Sequence, residues 1–146
     1  METVYTIGFT KKTAAEFFGA LREAGVQRVV DVRLNNSSQL ARFTKRDDLP
    51  FFLREICGAD YVHEPLLAPT QELIDAYKKH KGPWEDFEQG FLELMAARRV
   101  EELIDPALVS VPAVLLCSEP TAEHCHRRLV AEYLRTKWGG FDIVHL

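Results

Sequence analysis

Pro112 to Cys117 reads PAVLLC and runs straight into CSEPTAEHCHR, Cys117 to Arg127. The first six residues are the most strand-like run in the chain, short, apolar and closed by a polar loop. Thr121 stands where it can cap a helix after that loop, with a core stripe of Ala122, His126, Leu129, Val130, Tyr133 and Leu134 and with Cys125 in the first turn. Arg128 and Arg135 then fall on the outward side. A strand feeding a helix through a loop is one unit of an α/β sheet.

The unit repeats. VYTIGF, Val4 to Phe9, is β-like, and the helix after it has Ala14, Phe17, Phe18, Leu21 and Ala24 at helical spacing, Thr13 and Glu16 at capping-box spacing, and Gly25 as its stop. RVVDVR, Arg28 to Arg33, has the β-branched content of a buried strand. After a polar stretch, Leu49, Phe52, Leu53 and Ile56 mark a short helix ending at Gly58, and Tyr61 to Glu64 reads as a brief third strand. Thr70 to Asp105 is helical, punctuated at Gly82-Pro83, where Pro suits the first turn of a new helix. Phe141 to Leu146 is the last strand. This alternation predicts one α/β domain over residues 1–146, a mostly parallel sheet of about five strands flanked by helices.

Composition narrows the function. At 146 residues and 47% apolar, the chain can fill one core, so disorder is not expected. A net charge of −4 leaves no general basic field for coating DNA. Residues 72–105 hold nine acidic and five basic side chains, which reads as a solvated acidic helix face. No apolar run approaches the ~20 residues of a membrane span, and METVYTIGFT lacks the regions of a secretory leader. A soluble, cytoplasmic protein without a membrane partner is the expectation; the sequence is silent on oligomeric state. Three cysteines cannot close a disulfide framework, so any special role for them is metal binding or thiol chemistry.

Parallel α/β sheets bind ligands beyond the carboxyl ends of their strands. There the sequence places Gly8, Phe9 and Thr10, then Asp31 and Arg33, then His63 and Glu64, then Cys117, Ser118 and Glu119, with His145 near the end of the chain. An enzyme is the leading expectation. Cys117 or Cys125 would be the nucleophile or redox thiol, since a helix amino terminus and Arg127 favour thiolate at Cys125. Glu119, His63 and His126 are acid–base candidates. Asp31, Arg33, Arg127, Gly8 and Lys78 would surround a small polar or anionic, nucleotide-like substrate, with Arg33 and Arg127 as the anion-holding groups.

Plainer readings stand beside these. Cys125 can be a small buried hydrophobe, Cys57 a core residue, Asp31 and Arg33 a buried ion pair, and His63 a satisfied histidine. No cofactor is required, but Cys117 and Cys125 with His63, His126 or His145 offer zinc ligands. Against that set, C-x7-C is not a short knuckle, and Cys125 and His126 adjacent on a helix would point about 100° apart. The loop after Cys117 carries Glu119, Pro120 and Glu123, two carboxylates and a missing N–H, which argues against a phosphate cradle. A third reading is a nucleic-acid-associated module using Arg42, Phe43, Lys45 and Arg46, with Tyr77, Lys78 and Lys79 beyond.

With DVRLNNSSQL from Asp31, LAPT from Leu67, YKK from Tyr77, the W-x2-F of Trp84 to Phe87 and C-S-E-x5-C-H-R from Cys117 in view, the chain resembles the domain of unknown function 488 family. The likeness runs from TIG at Thr6 to VHL at Val144, and it is to the branch carrying DVRLNN and LAPT. Its most specific pieces are Asp31 to Arg33 and the set Cys117, Glu119, Cys125, His126 and Arg127. Many members of that family carry a His after the first TIG and a Pro after DVR, where this chain has Phe9 and Asn35-Asn36. The resemblance implies site residues and no particular reaction.

Overall fold

The computed structural model describes residues 2–146. Five strands form one parallel sheet: β1 (Glu2–Gly8), β2 (Arg28–Asp31), β3 (Asp60–His63), β4 (Ala113–Cys117) and β5 (Phe141–His145), in the order β3-β2-β4-β1-β5. The helices are α1 (Ala14–Ala24), α2 (Leu49–Phe52), α3 (Gln71–Lys78), α4 (Trp84–Arg98), α5 (Val100–Leu103) and α6 (His126–Trp138). The α/β class read from the alternation is the class found. No helix among the described residues is long and apolar enough to cross a membrane.

Local chemistry sets the elements. Thr13 and Glu16 close the capping box of α1, with Thr13 Oγ1 accepting from the Glu16 amide and Glu16 Oε1 accepting from the Thr13 amide. Gly25 ends the helix at φ 72°, a conformation that costs a residue with a Cβ. Leu49 and Leu53 are buried, and the chain runs on from α2 through one π-helical turn, Leu53–Cys57, to Gly58.

Side chains of β4 alternate between two cores. Ala113, Leu115 and Cys117 face Phe87, Phe91 and Met95 of α4 and Leu129, Val130 and Leu134 of α6. Val114 and Leu116 face Phe17, Phe18 and Leu21 of α1. The chain therefore leaves β2 on the α1 side of the sheet, through Leu49 and Leu53 to β3, and leaves its neighbour β4 on the other side, through α6 to β5. Adjacent strands whose connections part in this way open a crevice at their carboxyl ends, and Cys117 stands at that point.

Several boundaries differ from the sequence reading. Glu64 lies outside β3, which begins at Asp60, and Arg33 lies two residues past β2. Residues Gln39–Thr44 form a 3-10 segment where the composition suggested only a polar stretch. Pro83 is the N-cap of α4 rather than part of its first turn. The largest correction concerns α6, which begins at His126 with Cys125 as its N-cap; Thr121 and Ala122 belong to the loop. With Pro120 in that stretch and the loop carbonyl of Glu119 held elsewhere, helical backbone starts later than Thr121 would have it.

Candidate functional site

Cys117 ends β4 with its side chain on the α4/α6 face, and residues 118–124 loop back so that Cys125 returns beside it. The two sulfurs meet as a disulfide pair whose Cα atoms are 7.3 Å apart. Cys125 has extended backbone, φ −135° and ψ 138°, so its side chain is not constrained to the helical 100° step from His126. The objection that Cys125 and His126 diverge is thereby overturned. Cys117 Sγ, Cys125 Sγ and a ring nitrogen of His126 lie within 4.8 Å of one another, all three residues buried.

His126 is held in one tautomer. Its Nε2 is 2.7 Å from the Val32 carbonyl, which can only accept, so Nε2 carries the hydrogen and Nδ1 presents a lone pair. That Nδ1 lies 3.5 Å from Cys117 Sγ. Phe91 packs edge-on against the ring, 5.5 Å between centroids. Burial pulls the His126 pKa down to about 4, with Arg127 pushing the same way against the Val32 carbonyl. The imidazole is neutral at physiological pH, and its Nδ1 lone pair can accept a hydrogen bond from a thiol or bind an electrophile.

The three residues form part of the wall of a cleft of about 200 Å³. Arg33 and Leu34 border it on the β2 side, Glu119 and Ser118 on the β4 loop, and Tyr77, Lys78, Trp84 and Phe87 on α3 and α4. Lys78 Nζ pairs with Glu119 across it. Trp84 is stacked between Phe87, 5.1 Å away, and the exposed His124 of the loop, 5.0 Å away. Pockets for drug-sized ligands measure about 300–1,000 Å³, so this one suits a compact molecule. An aromatic wall opposite the two sulfurs, with two cations, Arg33 and Lys78, and the Glu119 carboxylate beside it, can hold a small, polar, partly planar ligand.

Two of the expected site residues act from behind the cleft. Arg127 is fully buried; its Nη1 donates to the Glu119 carbonyl at 2.6 Å and its Nε to Thr6 Oγ1 at 3.2 Å, which ties the loop down. Burial lowers its pKa to about 10. Gly8 lies under the same loop: a Cβ there would sit 1.6 Å from the Glu119 carbonyl oxygen and 2.8 Å from Arg127 Nη1. Both hold the loop's course, and neither lines the cleft.

Asp31 and Arg33 pair with each other. Arg33 Nε and Nη2 donate to the two carboxylate oxygens, both at 2.8 Å, and Nη1 and Nη2 also reach the Thr44 hydroxyl and carbonyl. The Tyr61 hydroxyl at 2.5 Å and the Asn36 amide complete the carboxylate's shell. Burial works against the Asp31 charge, but Arg33 and Tyr61 outweigh it and hold the pKa below the usual carboxylate value. Arg33 reaches the cleft while most of its donors are taken, and its guanidinium lies over Phe9, 5.5 Å from the ring centre. His63 is half-buried and spends Nε2 on the Arg33 carbonyl at 2.9 Å. His145 is hydrogen-bonded to Thr6 Oγ1 on the β5 side and does not line the cleft. Cys57 is only partly buried, at the edge of the α1 core, and burial pushes its thiol pKa up.

The cleft thus gathers Arg33, Lys78, Cys117, Glu119, Cys125 and His126, and leaves out Asp31, His63, Gly8 and Arg127. The sequence reading missed Trp84 and His124 as cleft residues and the Val32 carbonyl as the group that fixes the His126 tautomer. Trp84 and Phe87 share one helical turn after Pro83, a signal for an aromatic wall; a backbone carbonyl leaves none. In the basic segment, Phe43 packs against Phe9, Phe17 and Phe18, so its ring is not free to stack on a base.

Fold and site together define a doubly wound parallel α/β protein with two cysteines and a histidine at its switch point. Residues 13–134 match the family described as "Domain of unknown function DUF488", and the chain belongs to that family. No curated protein and no solved structure matches it.

Proposed function

We propose that this chain is a thiol-dependent enzyme in which Cys117 is the nucleophile and Cys125 the resolving thiol, acting on a small polar substrate with a planar part. The observation that carries the reading is the meeting of both sulfurs, with His126 Nδ1 3.5 Å from Cys117, in the wall of an aromatic-sided cleft. Cys125 at the N-cap of a 13-residue helix, with Arg127 two residues on, sits where partial positive charge favours thiolate. The neutral His126 Nδ1 is placed to accept a hydrogen bond from the Cys117 thiol when the pair is reduced, which orients that sulfur.

The chemistry is two displacements. The Cys117 thiolate attacks one sulfur of an organic disulfide, forming a mixed disulfide and expelling the other half as a thiolate. Cys125 thiolate then attacks Cys117 Sγ, forming the Cys117–Cys125 disulfide and releasing the second half. Two electrons pass from the dithiol to the substrate, and the two released thiolates take up two protons. An external dithiol restores the starting state.

A test is trapping with a small aromatic disulfide. Reduced Cys125→Ser protein is expected to accumulate a mixed disulfide at Cys117, mapped by peptide mass spectrometry, while the wild type releases it. Modification at Cys57 alone, or release at equal rates from both proteins, would overturn the reading.

A further inference from the structure

We infer that the reduced form of this site is a zinc site, with Cys117 Sγ, Cys125 Sγ and His126 Nδ1 as ligands and the fourth position open to the cleft. The inference rests on the reduced dithiol invoked above and adds a second state to it. Zn–S bonds of about 2.3 Å and Zn–N bonds of about 2.0 Å put ligand atoms roughly 3.5–3.8 Å apart around a tetrahedral ion. Cys117 Sγ and His126 Nδ1 already stand 3.5 Å apart. The two cysteine Cα atoms are 7.3 Å apart, wider than the about 4.4–6.8 Å usual for a disulfide, so the backbone leaves room for an atom between the sulfurs.

The surroundings match the needs of the ion. The hydrogen bond from Nε2 to the Val32 carbonyl is the outer contact that fixes a zinc-binding imidazole and directs its other nitrogen at the metal. Two thiolates neutralise Zn²⁺, so the complex brings no net charge into a buried site beside Arg127. Two thiolates and an imidazole are soft and borderline donors, which favour zinc over magnesium or calcium. Three protein ligands with an open position is the pattern of zinc sites that bind a small molecule.

Redox state then governs occupancy. Metal binding to the dithiol releases two protons. An organic disulfide oxidises the zinc-bound pair: the two cysteine thiolates lose two electrons and become Cys117–Cys125 disulfide, the oxidant takes two protons to become two thiols, and Zn²⁺ is freed. Bound zinc in turn occupies both thiolates and slows their attack on disulfides.

Cobalt(II) is the probe, with the full chain freshly reduced under nitrogen. One equivalent is expected to give a thiolate-to-cobalt charge-transfer band whose intensity fits two sulfurs, to be displaced by one equivalent of Zn²⁺, and to be absent from the disulfide form. That comparison needs no variant, so misfolding cannot obscure it; His126→Gln should additionally weaken cobalt binding at least tenfold. No band in protein whose three thiols are shown to be free, or a band unchanged in Cys125→Ser, would overturn the inference. Failure here with successful disulfide trapping sinks the zinc site alone; cobalt binding with failed trapping sinks the enzyme reading alone.

Discussion

Acidification tests the burial of His126 directly. In the folded chain burial draws its pKa down to about 4 from the ordinary 6.5, although the Val32 carbonyl pulls the other way. The unfolded imidazole takes up its proton near 6.5. Between these values the unfolded chain binds a proton that the folded chain refuses. Stability is therefore fully present above about pH 6.5 and falls as pH drops towards 4. At about 1.36 kcal/mol per pH unit, the loss is about 3 kcal/mol. Carboxylates titrate in the lower part of the same range, so the quantity to measure is a difference. His126→Gln keeps a donor for the Val32 carbonyl and cannot take a proton. Urea unfolding of both proteins, disulfide intact, at intervals from pH 7 to pH 4 should show the wild type losing about 3 kcal/mol more than the variant. A gap between the two that stays constant with pH would mean that the imidazole titrates alike in the folded and unfolded chain, which its burial forbids.

Other perturbations follow from the same contacts. Gly8→Ala would drive a methyl group into the Glu119 carbonyl, and a loss of about 1–3 kcal/mol by chemical denaturation is expected, as for overpacking elsewhere; an unchanged midpoint would contradict it. Asp31→Ala strands the Arg33 guanidinium, 3% exposed, and should cost about 3–5 kcal/mol. Because the Asp31 pKa is held low, its contribution is present above the ordinary carboxylate value and is lost as pH falls from there through the lower value it has in the fold, so the wild type but not the variant should lose it in acid. Arg127→Met unties the Glu119 carbonyl and Thr6, and hydrogen exchange should quicken at residues 118–124 and at the Thr10 amide, which is bonded to the Ser118 carbonyl. Trp84→Ala should slow trapping of an aromatic disulfide at Cys117 by roughly 2- to 10-fold, the worth of an aromatic pair at about 0.5–1.5 kcal/mol; an aliphatic disulfide should be less affected.

The fold was legible because strand and helix periods alternate cleanly, and because Thr13, Glu16 and Gly25 carry their capping chemistry in local sequence. The loop after Cys117 was not. Its path depends on Arg127 reaching back to the Glu119 carbonyl and on Gly8 leaving space beneath it, contacts that join β1, the β4 loop and α6. Moving the start of α6 from Thr121 to His126 changed the direction of Cys125, and with it the reading of Cys125 and His126 as incompatible ligands. The strand-end rule found Arg33, Cys117 and Glu119 but also drew in Asp31 and His63, because sequence places a residue at an edge without showing which partner consumes it. Asp31 is consumed by Arg33, Tyr61 and Asn36, and His63 by the Arg33 carbonyl. Glu119 and Lys78, 41 residues apart, show no local signal of their pairing.

A site that works as proposed makes Cys117 and Cys125 one chemical unit from which Cys57 is separate. Equilibration of the full chain in buffers of graded thiol–disulfide ratio, followed by acid quench, denaturation, alkylation and mass spectrometry, reads this directly. Cys117 and Cys125 are expected to escape alkylation together, along one two-electron curve, while Cys57 remains open to alkylation. Separate curves for the two, or each ending as its own mixed disulfide with the buffer thiol, would contradict it.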